Sequence, residues 1–283
     1  MGYLELLSSS AQERQSIVCF GLDPDLSQFP ATAAQGTEEK ITSFFSQIID
    51  ASLAEPKSIS ALKPNYAYFA QYGFDGLRAL KSLVERYSGK LPIILDAKRG
   101  DIGKSSAAYA AEAFDFWGAD ALTVSPYMGH DSLLPFFDRC KKGKGVYVLC
   151  RTSNPGASDF QSLRLEDGRQ LFSEVARKLE KWHINGVGMV MGATAPDELE
   201  AAMWVFYDAK KQLPLLVPGV GAQGASAAGT AKVLKNVWPE AFPLHRINSS
   251  SAIAYAHRKK GTDDFVGAAL SEIKRMNGEI GKV

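Results

Sequence analysis

Short apolar runs alternate with longer amphipathic segments along almost the whole chain. The first pair consists of Ile17 to Asp23, a strand-like run that stops at Pro24, and residues 37–53, in which apolar side chains recur at helical spacing behind Thr37 as a predicted helix cap. This alternation is typical of strand–helix units whose strands pair in parallel. We count eight such units.

The pattern predicts seven further strands, at residues 59–63, 91–96, 119–125, 145–150, 186–191, 213–217 and 245–250. It predicts helices between them at residues 66–87 with interruptions at Gly73 and Gly76, at 103–117, through Phe136 and Phe137, and at 168–182, 196–207 and 226–236. No linker or low-complexity tract divides the chain. We therefore predict one α/β domain over residues 1–283, a single (β/α)8 TIM barrel, although an open doubly wound sheet shares much of this pattern.

Polar or glycine-rich segments follow five of the predicted strands. In barrels of this kind the functional groups lie at the carboxyl ends of the strands. The groups in question are Asp23, Lys63, Asp96 with Lys98, Ser153 and the loop at residues 219–224. We predict that they surround a functional site.

The charges at Asp96, Lys98 and Asp101 follow directly on a buried-strand pattern. Strand residues alternate faces, so Asp96 and Lys98 project the same way, and Lys63 on the neighbouring strand can join them. An array of alternating ammonium and carboxylate groups suits electrostatic catalysis with one lysine as general acid. The alternatives are a structural ion pair with Asp101 as a helix N-cap, and a lysine that extends to solvent.

The segment Gly219-Val-Gly-Ala-Gln-Gly224 fits a Gly-x-Gly-x-x-Gly pattern. A dinucleotide site places that pattern after the first strand, whereas here it follows the seventh, where barrels often bind phosphate. We favour phosphate binding. A nicotinamide site and a simple turn are the alternatives.

Composition narrows the class of protein. Thirty-two Lys and Arg against thirty-one Asp and Glu leave a net charge of +1, and no basic run suggests a nucleic-acid or membrane-surface partner. The four histidines lack metal-ligand spacing, as do Cys19, Cys140 and Cys150, so we expect no metal and a reducing compartment. The first residues do not resemble a secretory leader, and no apolar run is long enough to span a membrane. We expect a cytoplasmic protein.

Several of these segments together resemble one enzyme family, the orotidine 5′-phosphate decarboxylases of the longer bacterial type (type 2). The matching motifs are Gly21-Leu-Asp-Pro24, Lys63-Pro-Asn65, Asp96-x-Lys98-x-x-Asp101-Ile-Gly103, Thr152-Ser-Asn-Pro-Gly156, Val217-Pro-Gly-Val-Gly-Ala-Gln-Gly224 and Asn248-Ser-Ser250. The resemblance spans about residues 15–275. It implies a carboxy-lyase that converts orotidine 5′-monophosphate to UMP, the last step of de novo UMP synthesis, without metal or organic cofactor.

The resemblance also implies roles for individual residues. Lys98 would protonate C6 of the pyrimidine, Asp96 would face the departing carboxylate, and Lys63 and Asp101 would hold the array. The implied substrate-binding residues are Asp23, Ser105, Thr152, Ser153, Pro218, Gln223 and Ser251. The family's second aspartate comes from a partner subunit, so the resemblance implies a homodimer in which Asp101, Ile102 and Ser105 complete the neighbouring site.

Position 251 departs from the family pattern. The family usually has an arginine there that clamps the phosphate, and this chain has Ser251. A hydroxyl does not replace a bidentate guanidinium contact, so we expect weaker phosphate binding unless Arg246, His257 or Arg258 substitutes. Ser105 stands where the family often has threonine, a change that keeps the hydroxyl.

Three other functions compete with this interpretation. Magnesium-dependent sugar-phosphate decarboxylases and aldolases share the Asp-x-Lys-x-x-Asp strand but have an acid where this chain has Lys63, and an ammonium there would oppose a divalent cation. A non-catalytic nucleotide-binding module would fit Ser251. A nicotinamide oxidoreductase would need a ribose-binding acid about 20 residues after the glycines, and none is evident there.

Overall fold

The computed structural model describes residues 1–31, 34–221 and 224–283. In these residues the chain forms eight parallel strands: β1 (Val18–Leu22), β2 (Ala61–Pro64), β3 (Ile94–Arg99), β4 (Ala121–Val124), β5 (Gly145–Arg151), β6 (Val187–Met191), β7 (Leu215–Val217) and β8 (Arg246–Ser249). Ladders join all neighbours from β2 through β1 and β8 round to β3. The predicted eight-strand α/β pattern is confirmed.

The first and last strands of this sheet, β2 and β3, also meet. The Leu62 amide donates to the Pro92 carbonyl over 2.9 Å, and isolated bridges pair Leu62 with Ile93 and Asn65 with Asp96. The sheet therefore closes into a barrel, and the doubly wound alternative is excluded.

Helices alternate with the strands around this barrel. Their bounds are α1 (Tyr3–Glu13), α2 (Thr37–Leu53), α3 (Tyr66–Ala70), α4 (Gly73–Tyr87), α5 (Gly103–Ala111), α6 (His130–Cys140), α7 (Leu171–Lys181), α8 (Pro196–Asp208), α9 (Ala227–Val237), α10 (Ser251–Ala254), α11 (Ala256–Lys260) and α12 (Phe265–Ile280). Short 3₁₀ turns occupy Leu26–Gln28, Pro155–Asp159 and Pro239–Leu244, and a π-helical turn, Glu112–Phe116, follows α5. Within the described residues, no helix is both long and apolar enough to cross a membrane.

Two local predictions need correction, and one of the alternatives is excluded. Thr37 is the first residue of α2, and the cap is Gly36. Gly76 does not interrupt a helix but lies inside α4, where a Cβ would stand 1.9 Å from the Phe69 carbonyl oxygen, so α3 approaches α4 closely only at a glycine. Asp101 is not the cap of the following helix, because α5 begins at Gly103 after Ile102.

Strand alternation places the functional layer inside the barrel. Ala61, Ile94 and Ala121 belong to a small apolar cluster of inward-facing residues on β2, β3 and β4. The residues two positions further along these strands are Lys63, Asp96 and Thr123, which must point to the same side, one layer nearer the carboxyl ends. The larger cluster of apolar side chains lies outside the strands, against the helices.

The opposite end of the barrel is filled by α1, which the sequence pattern did not predict. The Tyr3 hydroxyl lies 3.0 Å from that of Tyr147 inside the barrel, and the buried Arg246 guanidinium donates to the Leu7 carbonyl over 2.6 Å. The amino-terminal end of the barrel is therefore packed with side chains. Its carboxyl end is left for a ligand.

Candidate active site

The Asp96 carboxylate is held between two ammonium groups. Lys63 Nζ lies 2.8 Å from Asp96 Oδ2, and Lys98 Nζ lies 2.7 Å from Asp96 Oδ1. The side chains of Lys63 and Asp96 are almost fully buried, whereas that of Lys98 is 50% exposed. Lys98 is thus the most exposed member of the array, whereas Lys63 and Asp96 are the members that line the cavity beside it.

The electrostatics of this array follow from burial opposed by charge. Burial alone would raise the pKa of the Asp96 carboxyl, but the nearby Lys63 and Lys98 ammonium groups outweigh it and hold that pKa well below its usual range. Burial alone would lower the pKa of Lys63, but the Asp96 and Asp23 carboxylates outweigh it and hold that pKa above its usual range. The Lys63–Asp96 pair therefore remains charged at neutral pH.

The backbone at Lys98 is unusual. Lys98 has a φ of 47°, in the left-handed region that non-glycine residues seldom adopt. The ladder between β3 and β4 shifts register between Leu95 and Arg99. Strain of this kind persists only where surrounding contacts enforce it, and it is often found at functional sites.

Arg99 fixes the end of β3 from the outer side of the barrel. Its guanidinium lies 2.9 Å from Glu112 Oε1 and over the rings of Tyr66 and Tyr109, at 4.5 Å and 4.7 Å from their centroids. Glu112 begins the π-helical turn after α5, and such turns are frequent near functional sites. Glu112, Tyr66 and Tyr109 thus hold in place the residue that directly follows Lys98.

A cavity of about 560 Å³ opens above Lys63 and Asp96. Its other lining residues include Asp23, Asn65, Tyr68, Pro218, Asn248, Ser249, Ser251 and Tyr255. The cavity thus joins groups from the ends of β1, β2, β3, β7 and β8. Its volume is of the size that holds a small organic ligand.

Several polar atoms in the cavity wall are buried without a hydrogen-bond partner among the described residues. They are Asp23 Oδ1, Asn248 Oδ1 and Ser249 Oγ. Unpartnered buried oxygens are costly, so they mark positions where a ligand can donate hydrogen bonds. Asp23 fits its predicted substrate-binding role. The site residues predicted from the sequence did not include Asn248 or Ser249, although the strand-end rule that selected Lys63 applies to them as well.

Close packing at Gly21 explains part of the first motif. A Cβ at Gly21 would lie 1.9 Å from Ser250 Oγ, so only glycine lets β1 approach the end of β8 this closely. The Tyr255 hydroxyl ties the same regions together, since it donates to the Asp23 carbonyl over 2.7 Å and accepts from the Asp25 amide over 2.8 Å. Tyr255 was not predicted from the sequence.

Asp101 lies apart from the array within this chain. Its Oδ1 accepts a hydrogen bond from the Ile102 amide over 2.7 Å, and it forms no ion pair with a described residue. Ile102 and Ser105 are exposed beside it. The structure therefore brings together Lys63, Asp96 and Lys98, whereas Asp101 neither pairs with this array nor lines the cavity.

The remaining predicted residues lie on the loops after β5 and β7. Thr152 bonds Gln161 through its backbone amide and Asn154 through its hydroxyl, over 2.8 Å and 2.7 Å. The Ser153 carbonyl accepts from Thr194 over 3.3 Å. Neither Thr152 nor Ser153 lines the cavity, whereas Pro218 does. Gln223 lies outside the residues that the structure describes.

Ser251 begins α10 and is exposed. It lines both the cavity above Lys63 and Asp96 and a second, neighbouring cavity. None of the three cations considered as a substitute for arginine here is free to act. Arg246 is buried at the opposite end of the barrel, and His257 is buried with its ring against Phe44 and Phe265. Arg258 donates to the carbonyls of Ser27, Gln28 and Phe29. Lys259 and Lys260 line the second cavity and form no ion pair with a described residue.

In the described part of the chain, no three His, Cys, Asp or Glu side chains are grouped so as to hold a metal ion.

Comparison with known proteins decides the family. The family model described as "Orotidine 5'-phosphate decarboxylase / HUMPS family" matches residues 17–241. The chain belongs to this family. A protein of Delftia acidovorans named orotidine 5′-phosphate decarboxylase is 44% identical over 275 residues, which cover 95% of this chain and 94% of that protein. A protein of the same name from Polaromonas naphthalenivorans is 42% identical over 281 residues, covering 97% and 94%.

A solved structure shares the family fold. The structure of Leishmania donovani OMP decarboxylase is 33% identical in sequence and superposes with a TM-score of 0.77, covering 99% of each chain. The orotidine 5′-phosphate decarboxylase / HUMPS membership and the barrel expected from the sequence are both confirmed.

Proposed function

We propose that the chain decarboxylates orotidine 5′-monophosphate to UMP, the last step of de novo pyrimidine biosynthesis, without a metal or organic cofactor. One observation carries the proposal: a half-exposed ammonium, Lys98, is fixed 2.7 Å from a buried carboxylate at the mouth of the barrel. Membership of the family and the names of the relatives support the same reaction.

The chemistry requires a cation beside one carbon. Breaking the bond between C6 and the carboxylate carbon releases CO₂ and leaves the electron pair on C6, with no adjacent carbonyl to delocalise it. The Lys98 ammonium stabilises that developing charge and then transfers its proton to C6, giving UMP, and solvent reprotonates the amine. Lys98 is therefore assigned as the catalytic acid.

Lys63 and Asp96 hold that ammonium in place before substrate arrives. A preorganised charge needs no reorganisation during the reaction, which is why such groups contribute most to electrostatic catalysis. Lys63 neutralises Asp96 from the buried side, over 2.8 Å. Asp96 directs Lys98 from the other side, over 2.7 Å, and is assigned to face the departing carboxylate.

The cavity wall supplies groups for the rest of the nucleotide. Asp23 Oδ1, unpartnered among the described residues, suits a ribose hydroxyl, and Pro218 and Ser251 lie at the end assigned to the phosphate. From the family resemblance we also assign Thr152, Ser153 and Gln223 to the substrate of the same chain, and Ser105 to the substrate in the partner's site. The phosphate is remote from C6, so its binding energy can serve to orient the substrate.

We further propose a homodimer in which Asp101 enters the partner's site. Asp101 is uncommitted to the array of its own chain, and the segments that follow β3 and β4 expose apolar side chains: Ile102 (61%), Tyr127 (87%) and Met128 (50%). Exposed apolar side chains in one region suit a protein interface.

Complementation tests this arrangement. An equal mixture of Lys98→Ala and Asp101→Ala chains, each inactive alone, forms half mixed dimers with one intact site each, so it regains about one quarter of full activity if Asp101 crosses the interface. A mixture that stays inactive overturns the shared site.

The chain is proposed to act as a single domain in the cytoplasm. Its three cysteines are free and buried, which suits a reducing compartment.

The reaction is tested by the ultraviolet absorbance of orotidine 5′-monophosphate with the purified protein, with and without chelator. We expect chelator-insensitive turnover that falls by at least about 10⁴-fold in Lys98→Ala, while UMP still binds. Turnover abolished by chelator would favour a magnesium-dependent enzyme. No turnover at any substrate concentration would favour a nucleotide-binding module.

A further inference from the structure

Thr123 lies beneath the array, at the centre of β4. It is 1% exposed. Its hydroxyl donates to Asp96 Oδ1 over 2.9 Å and accepts from the Lys98 backbone amide, also over 2.9 Å. One side chain therefore contacts both the carboxylate that orients Lys98 and the backbone that carries it.

The irregular ladder explains why this hydroxyl is needed. Leu95 pairs with Leu122, and Arg99 pairs with Val124, so three residues of β3 lie opposite Thr123 alone. A bulge of this kind leaves backbone groups without ladder partners. The Lys98 amide is one such group, and the Thr123 hydroxyl takes the place of the missing carbonyl.

The same hydroxyl restricts the Asp96 carboxylate. Asp96 Oδ1 accepts from both Lys98 Nζ and Thr123 Oγ1, while Oδ2 accepts from Lys63. With Oδ1 held by a group on the fixed strand β4, rotation of the carboxylate would break a buried charged hydrogen bond. Such bonds are stronger than bonds between neutral groups.

We propose that Thr123 is a positioning residue for the reaction, one that fixes the Lys98 ammonium through its backbone and through Asp96 at once. This rests on the proposed decarboxylation. Thr123 does not line the cavity, so its loss acts on the geometry of Lys98 and not on substrate contacts. Displacing a catalytic group by about 1 Å costs on the order of 100-fold in rate.

Three substitutions isolate the hydroxyl. Thr123→Val keeps the shape and removes the hydroxyl, and we expect kcat to fall about 10- to 100-fold with KM changed less than about threefold. If the valine variant does not fold, Thr123→Ala and Thr123→Ser differ by the hydroxyl alone. The serine variant is expected to recover most of kcat, which a merely structural contribution of the methyl group would not explain.

Thr42→Val on α2 is the matched control. The Thr42 hydroxyl oxygen is buried without a partner among the described residues, so the same substitution there removes no bond and leaves kcat and KM unchanged. A folded Thr123→Val enzyme with kcat within twofold of the unmodified enzyme would overturn the proposal. So would a serine variant no better than alanine.

A crystal structure of Thr123→Val separates this inference from the proposed reaction. We expect the Lys98 ammonium to leave its position 2.7 Å from Asp96 Oδ1. If the unmodified chain proves inactive, the proposed function fails. The position of the Lys98 ammonium in the variant would still show whether Thr123 holds it in place. An unmoved Lys98 would refute it.

Discussion

The Lys63 ammonium lies 2.8 Å from Asp96 Oδ2, and these side chains are only 5% and 9% exposed. The pair joins β2 to β3, where the barrel closes through isolated bridges instead of a continuous ladder. One buried ion pair therefore serves both the catalytic array and the closure of the sheet.

Replacing Lys63 by methionine is expected to destabilise the protein. Removing one partner of a buried ion pair leaves the other charge uncompensated, at a cost of about 3 kcal/mol or more. Because the Lys98 ammonium still faces Asp96 in this variant, we expect the free energy of unfolding to fall by only about 3 kcal/mol. Urea unfolding at pH 7 measures the change. Lys141→Met, which removes an exposed pair with Asp138, is the control and should have little effect. Equal stability of both variants would contradict the prediction.

Acid should weaken the fold through His245. Burial, together with the neighbouring Arg246 charge, lowers the pKa of His245 from 6.5 to about 3. The unfolded chain therefore binds a proton below about pH 6.5 that the folded chain takes up only near pH 3. The free energy of unfolding should fall in this window by up to about 1.4 kcal/mol per pH unit from this group.

His245→Gln should reduce that slope between pH 6 and pH 4. The buried His245 Nδ1 accepts a hydrogen bond from the Leu215 amide over 3.2 Å, and glutamine offers an oxygen acceptor there without a titration. Unfolding curves at several pH values compare the two proteins. Identical slopes would show that His245 does not titrate on unfolding.

Tyr255→Phe should weaken substrate binding more than it slows chemistry. The change removes the hydroxyl that bonds the Asp23 carbonyl and the Asp25 amide, so the loop that carries the Asp23 carboxylate loses two hydrogen bonds. We expect KM to rise about 30-fold at most, since each of the two bonds contributes about 1 kcal/mol. Tyr87→Phe removes a hydroxyl bound to Asp50 away from the cavity and should leave KM unchanged. A larger effect on kcat than on KM would count against this assignment.

Ser251→Arg should tighten binding of the phosphate. A guanidinium adds charge-assisted hydrogen bonds at a position where Arg246, His257 and Arg258 are committed elsewhere. We expect UMP to bind about 10- to 100-fold more tightly, with no change for uridine, which lacks the phosphate. Isothermal titration with both ligands decides this. If UMP binds no more tightly, the phosphate is held by other groups, and Lys259 and Lys260 are the cations to replace next.

Local pattern was sufficient for much of the fold. Periodicity predicted α2 to within one residue of its observed bounds, and all eight strands within a few residues, because strand and helix periods differ and apolar faces must be buried. It missed α1, which fills the amino-terminal end of the barrel. That packing depends on the contact between the Tyr3 and Tyr147 hydroxyls, which belong to distant parts of the chain.

The candidate site divides in the same way. Strand alternation and strand order were enough to place Lys63, Asp96 and Lys98 together, since both follow from sequence spacing and the barrel rule. Thr123 and Tyr255 gave no such signal. Their roles depend on hydrogen bonds to backbone groups far away in the sequence. The Thr123 hydroxyl bonds the Lys98 amide, 25 residues away, and the Tyr255 hydroxyl bonds the Asp23 carbonyl, 232 residues away.

Tertiary structure alone decided which cations are available. Nothing in the sequence distinguishes Arg246 and Arg258 from any other arginine. In the fold, Arg246 is buried at the amino-terminal end of the barrel, where it donates to the Leu7 carbonyl, and Arg258 donates to three loop carbonyls. Likewise, the left-handed backbone of Lys98 coincides with the shifted register between β3 and β4, which depends on how two distant strands pair. Spacing along the chain determines which face a side chain takes, whereas its partners depend on packing among distant segments.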